Sequence, residues 1–393
     1  MKWKHPNTIT GPAAEGDKYF RREEIENRLW REIAKNSHVL FLAPRRVGKS
    51  SIVMYMSTRH NKEFACKYEN IQSDSSIQDF YKRLCNMTHS ALTNYGKSKN
   101  WLSSWWNSYT IQSIGKDKIE IQKATIDYRT KFFELLGNLK DHQEKVVLFL
   151  DEFPDVIWNI NNQHGAQEAE TLLNDVRTLR QTKDFKDVFI IVLLGSVGLN
   201  HIVKKITGRI DKVNDLHREY LHALEIEQAK NFLNHLIKDA TMQLEDATKD
   251  YLLNKIGYFI PYYMQLIVEE CDDMLKEKNI TQLTTMDIDK AYQKIIKKNE
   301  HFSDWDRRIS KYFPDKYVYL LEVLSMCAHK NGIDLQEIYN IAVSNNNINE
   351  WKADIDDILI ADGYLYEENQ LYAFNSPLLK DWWKARHPLM KKS

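Results

Sequence analysis

The sequence has few cysteines, no excess of charge of either sign and no low-complexity tract. Lysine plus arginine and aspartate plus glutamate number 55 each, so no field of the whole protein attracts nucleic acid or a membrane surface. This balance leaves room for a local basic face. The cysteines lie far apart in the chain, with no pair at metal-ligand spacing, and are expected to be reduced thiols. They are Cys66, Cys85, Cys271 and Cys327.

Long apolar runs are lacking as well. Residues 1–6 contain no apolar signal region, and the longest apolar stretch, Val188 to Leu199, is about a dozen residues, too short to span a bilayer. The hydrophobic content of 43% is that of a globular protein, and 393 residues predict two or three domains. We therefore expect a cytoplasmic protein with no membrane partner.

What the sequence does contain is an apolar run followed by a Gly-Lys-Ser turn. Val39–Leu42 fits a buried parallel strand, and from Gly48 onward the pattern suits a helix start. Strand, loop and helix in this order cradle the phosphates of a nucleotide. Lys49 would reach the β- and γ-phosphates, and the Ser50 hydroxyl would hold Mg²⁺. Ala43 stands where the standard motif begins with glycine, and a chance Gly-Lys-Ser at a helix cap is the alternative.

A second apolar run ends in two acids about 100 residues downstream. Val146–Leu150 fits a buried strand, and Asp151 and Glu152 follow it directly. Beside a phosphate loop, Asp151 would hold the water shell of Mg²⁺ and Glu152 would polarise the attacking water as a general base. An ordinary strand exit is the alternative, which the upstream Gly-Lys-Ser motif disfavours.

A third strand is predicted over Val188–Leu194, followed at once by Gly195 and Ser196. Ser196 at this strand tip would sense the γ-phosphate or position the water, or it would cap the next helix. Strands and helices alternate over the first 215 residues, with phosphate chemistry at the strand ends. The pattern predicts a parallel, three-layer α/β domain.

Residues 93–125 are rich in tryptophan. Trp101, Trp105 and Trp106 cluster within residues 93–125, and Tyr109–Ile121 has the pattern of a hairpin turning at residues 114–117. The two interpretations are an insertion that packs its own aromatic residues and a surface for docking a partner.

Beyond residue 217 the pattern becomes helical. Residues 225–300 predict helices only, and Phe302–Phe313 is a bridging segment. Residues 315–393 predict three helices, a β-hairpin and a last helix from Pro377, which together make a winged helix. The predicted domains are an ATPase-type core at 1–216, with the tryptophan-rich insertion 93–125, a helical lid at 217–312 and a winged-helix domain at 313–393.

At this point the chain resembles an archaeal-type P-loop ATPase of the STAND and AAA+ group. The resemblance covers most of the chain outside the tryptophan-rich insertion, and the double arginine in the phosphate loop is its most specific part. The segments that carry it are Phe20–Glu23, Ala43–Ser51, Leu150–Phe153, Leu194–Leu199, Asn214–Leu216, Pro261–Gln265 and Phe374–Leu379. Arg21 and Phe259, like Ala43, depart from the usual residues.

The resemblance implies ATP as the nucleotide, with Arg22 and Pro261 near the adenine and ribose. Arg45 and Arg46 would contact phosphate or form surface ion pairs, and for Arg45 we favour the surface pair. The residues assigned to nucleotide binding are Ala43, Pro44, Arg45, Arg46, Val47, Gly48, Lys49, Ser50, Ser51, Arg22 and Pro261. Those assigned to catalysis are Glu152, Lys49 and Ser196, and those assigned to the metal are Ser50 and Asp151.

The leading hypothesis is a Mg-ATP-dependent switch that hydrolyses ATP slowly and regulates a protein partner or self-assembly. ATP would bridge core and lid, and its γ-phosphate would make contacts that ADP cannot make. An arginine finger would come from Arg177, Arg180, Arg209 or a neighbouring subunit. An ATPase subunit of a defence or toxin system is an alternative, suggested by the systems in which proteins of this family occur.

A DNA-binding ATPase of origin-recognition or transposition type is a further alternative. Such a protein needs a basic recognition helix, but residues 348–362 hold one lysine against five acids. Glu367 and Glu368 make the wing tip acidic too, although the C-terminal tail is basic. We expect the winged helix to contact protein, with DNA as the less favoured partner.

Overall fold

The computed structural model describes residues 2–59, 63–94, 100–111, 126–195, 199–208 and 211–389. The chain divides into two compact units. One, here called the sheet unit, comprises Arg22–Leu42 and Ile52–Tyr220. The other, called the helical unit, comprises Ala43–Ser51 together with the N-terminal segment up to Arg21 and the chain from Leu221 onward.

The sheet unit is built on five parallel strands in the order β2-β3-β4-β1-β5. The strands are β1 (Val39–Leu42), β2 (Ala65–Asn70), β3 (Val146–Asp151), β4 (Phe189–Gly195) and β5 (His217–Tyr220). The helices are α1 (Glu23–Ala34), α2 (Lys49–Thr58, which begins in the loop), α3 (Ile77–Asn94), α4 (Asn100–Ile111), α5 (Tyr128–Asp141), α6 (Phe153–His164), α7 (Ala166–Gln181) and α8 (Leu199–Thr207).

The three central strands β3, β4 and β1 are buried at every position, as expected for a parallel sheet covered on both faces by helices. β4 lies between β1 and β3, with Leu42 opposite Gly195 and Leu150 opposite Leu193. The carboxyl ends of these strands therefore lie at one edge of the sheet. This is the edge at which open α/β sheets bind their ligands.

Three features of the sheet unit differ from the sequence predictions. β5 has the polar sequence His-Arg-Glu-Tyr and is half-exposed, so it carries no apolar signal for a strand. Helix α6 follows β3 directly and was not predicted. The predicted hairpin Tyr109–Ile121 is wrong at its beginning, because α4 continues through Ile111; the rest of it lies outside the described residues.

The tryptophans of α4 pack on aromatic rings of the neighbouring helices. Trp106 stacks on His89 of α3, with ring centroids 4.0 Å apart, and Trp101 stacks on His142 after α5 at 4.7 Å. Trp105 is buried. These contacts favour the interpretation in which the insertion packs its own aromatic residues.

The helical unit consists mainly of helices and one small sheet. Its helices are α9 (Ile226–Ile237), α10 (Asp246–Ile256), α11 (Pro261–Lys278), α12 (Thr285–Lys297), α13 (Ser303–Tyr312), α14 (Tyr317–Lys330), α15 (Leu335–Ser344), α16 (Trp351–Asp354) and α17 (Pro377–Arg386). Its strands, in the order β6-β8-β7, are β6 (Ile333–Asp334), β7 (Leu365–Glu368) and β8 (Leu371–Phe374). None of the described helices is long and apolar enough to cross a membrane.

The C-terminal elements agree with the sequence in kind and differ in detail. Phe302–Phe313, for which the sequence predicts a bridging segment, contains the helix α13. The helix predicted over residues 348–362 is α16 followed by a π-helical stretch, Ile355–Ile360. The β7–β8 turn is tighter than expected, since only Asn369 and Gln370 turn, with φ of 52° and 65°. Two residues of positive φ match the twist of a two-residue hairpin.

The N-terminal segment is bonded to helices α9 and α11. The backbone N–H groups of Asn7 and Ile9 donate to the Leu236 carbonyl oxygen and the Gln265 side-chain oxygen, both at 2.7 Å. The Trp3 indole N–H donates to the Asp272 carboxylate at 3.1 Å. The segment is thus a fixed part of the helical unit.

His38 gives the stability of the sheet unit a dependence on pH. Its Nδ1 accepts the N–H of Ile191 at 3.1 Å, and burial, assisted by the charge of Arg180, lowers its pKa from 6.5 to about 4. Unfolded, His38 binds a proton below its ordinary pKa, whereas folded it does not. Its stabilising contribution is therefore complete above that pKa and is lost as the pH falls toward about 4.

We expect the free energy of unfolding to fall by about 2 kcal/mol between pH 8 and pH 5 through His38 alone. Urea unfolding at both pH values measures the change. His38→Asn keeps an acceptor for Ile191 but cannot titrate, so its loss between the same pH values should be smaller by that amount. An equal loss in both proteins would contradict the prediction.

Candidate functional site

The loop between β1 and α2 has the backbone of a phosphate-binding turn. Gly48 has φ of +98°, a conformation that side chains disfavour, and no described atom lies within 4 Å of where a β-carbon would stand. Its backbone is therefore open to a close approach by ligand oxygen atoms. α2 begins at the next residue, Lys49, so its first N–H groups are at the same turn.

Arg46 is held by α11 and α13. Its Nη2 donates to the Asp304 carboxylate at 3.1 Å, and its guanidinium lies over the Tyr262 ring, 3.9 Å from the centroid. Burial raises the pKa of Tyr262, although the Arg46 charge opposes this. Arg46 has φ of 65°, so its backbone is in the left-handed region as well. The arginine thus connects the loop to two helices of its unit.

The rest of the loop is also packed within the helical unit. Ala43 and Val47 are buried. Pro44 lies against Gly363, where a β-carbon on the glycine would come within 3.0 Å of the proline ring. The Ser51 hydroxyl accepts the N–H of Ala14 at 2.9 Å. The loop is therefore contacted by the N-terminal segment, by α11 and α13, and by Gly363.

At the end of β3, Asp151 is a buried and oriented carboxylate. Its Oδ2 accepts the Tyr68 hydroxyl at 2.9 Å, and its Oδ1 accepts the Glu152 N–H at 3.0 Å. A carboxylate is the kind of ligand that Mg²⁺ takes from a protein, directly or through a metal-bound water. Tyr68 on β2 was not assigned a role from the sequence.

Glu152 adopts a left-handed conformation, with φ of 60° and ψ of 37°, immediately before α6. Such a backbone is uncommon for a residue with a side chain and is concentrated at functional sites. The turn thus lies between the end of β3 and the start of α6.

Gly195, at the end of β4, sets the spacing to this turn. A β-carbon at Gly195 would lie 2.8 Å from Cγ of Pro154 in the first turn of α6. Only glycine allows the β4 tip and the proline ring to approach this closely. The position of α6, and with it Glu152, therefore depends on this glycine.

We expect Gly195→Ala to lower the free energy of unfolding by about 1–3 kcal/mol, because a proline ring cannot rotate away from the added methyl group. Urea unfolding measures it. Gly137→Ala in α5, where a β-carbon meets no described atom within 4 Å, is the matched control and should stabilise by about 0.5–1 kcal/mol. Equal effects in the two variants would contradict this account of Gly195.

Among the predicted arginine fingers, Arg180 has a structural role. Its buried guanidinium makes bonds of 2.7 Å and 3.0 Å to the two carboxylate oxygens of Asp215 and donates to the Lys212 carbonyl oxygen at 2.8 Å. Burial opposes ionisation of Asp215, but the Arg180 bonds and charge lower its pKa. A guanidinium fixed in this way is not free to reach a phosphate. Arg209 lies outside the described residues.

The remaining predicted residues are spread over the two units. Pro261 is the first residue of α11, adjacent to the Tyr262 that contacts Arg46. Arg22 precedes α1 in the sheet unit and is half-buried. Ser196 lies outside the described residues, so its role stays a prediction.

Sequence reasoning missed the residues that fix the loop. Asp304 and Gly363 carry no local signal, since each acts through a partner more than 250 residues away in the chain. Tyr262 and Gln265 lie in a segment that carried the resemblance. That Tyr262 contacts Arg46 and that Gln265 accepts the N–H of Ile9 could not be predicted from the sequence.

Among the described residues, His5, Asp272 and Asp273 are the group that could hold a metal ion by proximity. Asp272 is already bonded to the His5 ring at 2.5 Å and to Trp3, and the Lys276 ammonium lies 3.1 Å from His5 Nε2. An ammonium at this distance disfavours a bound cation. The group is an anchor for the N-terminal segment.

Solved structures with the same fold include a Walker-type ATPase and an ORC2 protein. A Walker-type ATPase of Pyrococcus abyssi is 16% identical, with a TM-score of 0.62 over 96% of this chain and 99% of that one. The ORC2 protein of Aeropyrum pernix, solved as ADPNP–ADP complexes, is 13% identical, with a TM-score of 0.55 over 93% of each chain. No family model matches the sequence, and no curated protein does. At these identities the likeness concerns the fold, and it confirms the prediction of an α/β fold of the P-loop ATPase type.

Proposed function

We propose that this protein binds ATP with Mg²⁺ and hydrolyses it slowly, as a nucleotide-dependent switch. The observation that carries the proposal is the β1–loop–α2 turn, with Gly48 at φ of +98° and open space above it. The fold shared with Walker-type ATPases supports it, as do the nucleotides in the related ORC2 structure.

The residues present fit a magnesium nucleotide. Lys49 would neutralise the β- and γ-phosphates, and the Ser50 hydroxyl and the Asp151 carboxylate would hold the metal, which supplies charge neutralisation at the transferring phosphoryl group. The support for Asp151 is its place at the end of β3, two strands from the β1 end that the loop follows, and its orientation by Tyr68.

Glu152 would take the proton of the attacking water as general base. Its left-handed backbone conformation, which is concentrated at functional sites, supports this role. Arg22 and Pro261 are the proposed adenine and ribose contacts. Ser196 is proposed as the residue at the β4 end that responds to the γ-phosphate.

The switch hypothesis rests on Arg46. This loop residue contacts Asp304 of α13 and Tyr262 of α11. A change in loop conformation with the bound nucleotide would therefore alter the contacts of these two helices. A difference of about 3 kcal/mol between the ATP and ADP contacts would shift a two-state equilibrium by more than 100-fold. The domain limits 217–312 for a lid and 313–393 for a winged helix are part of this proposal.

The direct test combines nucleotide content with binding. We expect the purified protein to retain ADP or ATP, and to bind added ATP in calorimetry more tightly with Mg²⁺ than with EDTA. Lys49→Ala should weaken ATP binding at least about tenfold, a loss of about 1.4 kcal/mol. The variant Lys183→Ala, at an exposed position, should not weaken it. A protein that neither retains nor binds nucleotide would overturn the proposal.

A further inference from the structure

The C-terminal part of the helical unit exposes a cluster of apolar side chains. Val318 at the start of α14, Tyr339 and Val343 on α15, and Ile348 after α15 are 66%, 37%, 43% and 49% exposed. Together with the half-buried Trp351 at the start of α16 they are called here the apolar patch. Clustered exposure of this kind marks an interaction surface more often than single exposed residues do.

Contacts bring together the elements α14, α15 and α16, which carry most of the patch. Tyr339 and Val343 are four residues apart and share a helix face. The Tyr339 ring lies 5.6 Å from that of Trp351. The Tyr319 hydroxyl donates to the Trp351 carbonyl oxygen at 3.1 Å, which places the first turn of α14, and so Val318, beside α16.

The stretch of the chain that carries the apolar patch is strongly acidic. Residues 314–376 contain eleven acidic side chains, three lysines and no arginine, a formal charge of −8. Each of the three lysines is in an ion pair: Lys316 with Glu350 and Asp354, Lys330 with Glu337, and Lys352 with Asp356. The field at the patch is therefore negative.

We infer that the apolar patch docks an amphipathic, basic helical segment of a partner protein. A partner must supply apolar side chains to cover Tyr339 and Val343 and cations to meet the surrounding carboxylates. Nucleic acid and anionic lipid surfaces are negatively charged, like the carboxylates around the patch, and are repelled. This inference goes beyond the proposed nucleotide function, since none of these residues is in the phosphate loop.

The test uses a fluorescein-labelled 16-residue peptide of leucine and lysine, with leucines at helical i, i+3, i+4 and i+7 spacing, titrated with the full chain in fluorescence anisotropy. Tyr339→Ser/Val343→Ser should weaken its binding at least about tenfold. Glu350→Gln and a rise from 50 to 300 mM salt should each weaken it several-fold. Met286→Ser, which removes an apolar side chain 64% exposed on α12, should leave it unchanged.

Three results would overturn the inference. One is equal affinity for the same peptide with glutamate in place of lysine. Another is affinity that survives the Tyr339→Ser/Val343→Ser change while thermal melting shows the variant folded. The third is a concentration-dependent dimer in sedimentation equilibrium that the patch variant abolishes, which would identify a second copy of the chain as the occupant. Because the altered side chains are exposed, the variants should melt within a few degrees of the parent protein.

Discussion

Replacing Glu152 by glutamine is expected to lower ATP turnover by about 10²–10⁴-fold while ATP binding is retained. The glutamine amide keeps the size of the side chain but cannot accept a proton from water at neutral pH. The left-handed backbone at the start of α6 and the N–H bond to Asp151 do not involve the carboxylate, so the fold should tolerate the change. Phosphate release under saturating ATP and calorimetric binding on the same samples measure the two effects.

Glu168→Gln, at a half-buried position in the first turn of α7, is the matched control and should turn ATP over at the parent rate. Normal steady-state turnover in Glu152→Gln would refute its assignment as general base. A variant that loses both binding and turnover would instead point to a disturbed strand end, which the Gly195→Ala variant would reproduce.

Replacing Arg308 by methionine is expected to lower the free energy of unfolding of the helical unit by about 3–5 kcal/mol. The Arg308 Nε donates to the Asp362 carboxylate at 3.1 Å, and the two side chains are only 7% and 4% exposed. The change removes the guanidinium of a buried ion pair, and removing one partner of such a pair is strongly destabilising because the remaining charge loses its counter-ion. Urea unfolding followed by circular dichroism measures it.

Two further variants separate this ion pair from nonspecific damage. Arg307→Met, on the same helix and 74% exposed, should change stability by less than about 0.5 kcal/mol. The double variant Arg308→Met/Asp362→Leu should be more stable than the sum of the single effects by at least about 1 kcal/mol. Additive effects would show that the two residues do not stabilise each other.

The strands and the loop turn could be predicted because their signals are local. Val39–Leu42 and Val146–Leu150 are apolar at every position, which a strand buried on both faces requires, and Gly48 precedes a helix start. β5 could not be found in this way, because its partner β1 supplies the backbone pairing while its own side chains are polar.

Contacts between residues far apart in the chain could not be predicted from the sequence. Arg46 and Asp304 are 258 residues apart, and nothing near either one distinguishes an ion pair from a phosphate contact. Arg180 has the position of a finger on α7, and only the bond to Asp215 shows that it is occupied. The order of strands, which places β4 between β1 and β3, is equally nonlocal.

The bonds of the N-terminal segment have a consequence for biosynthesis. This segment leaves the ribosome before its partners at Leu236, Thr241 and Gln265, which are translated more than 200 residues later. The sheet unit is complete once Tyr220 has emerged, and it can fold while the chain is still growing. The bonds of Lys4, Asn7 and Ile9 therefore form only after more than half of the protein has been made.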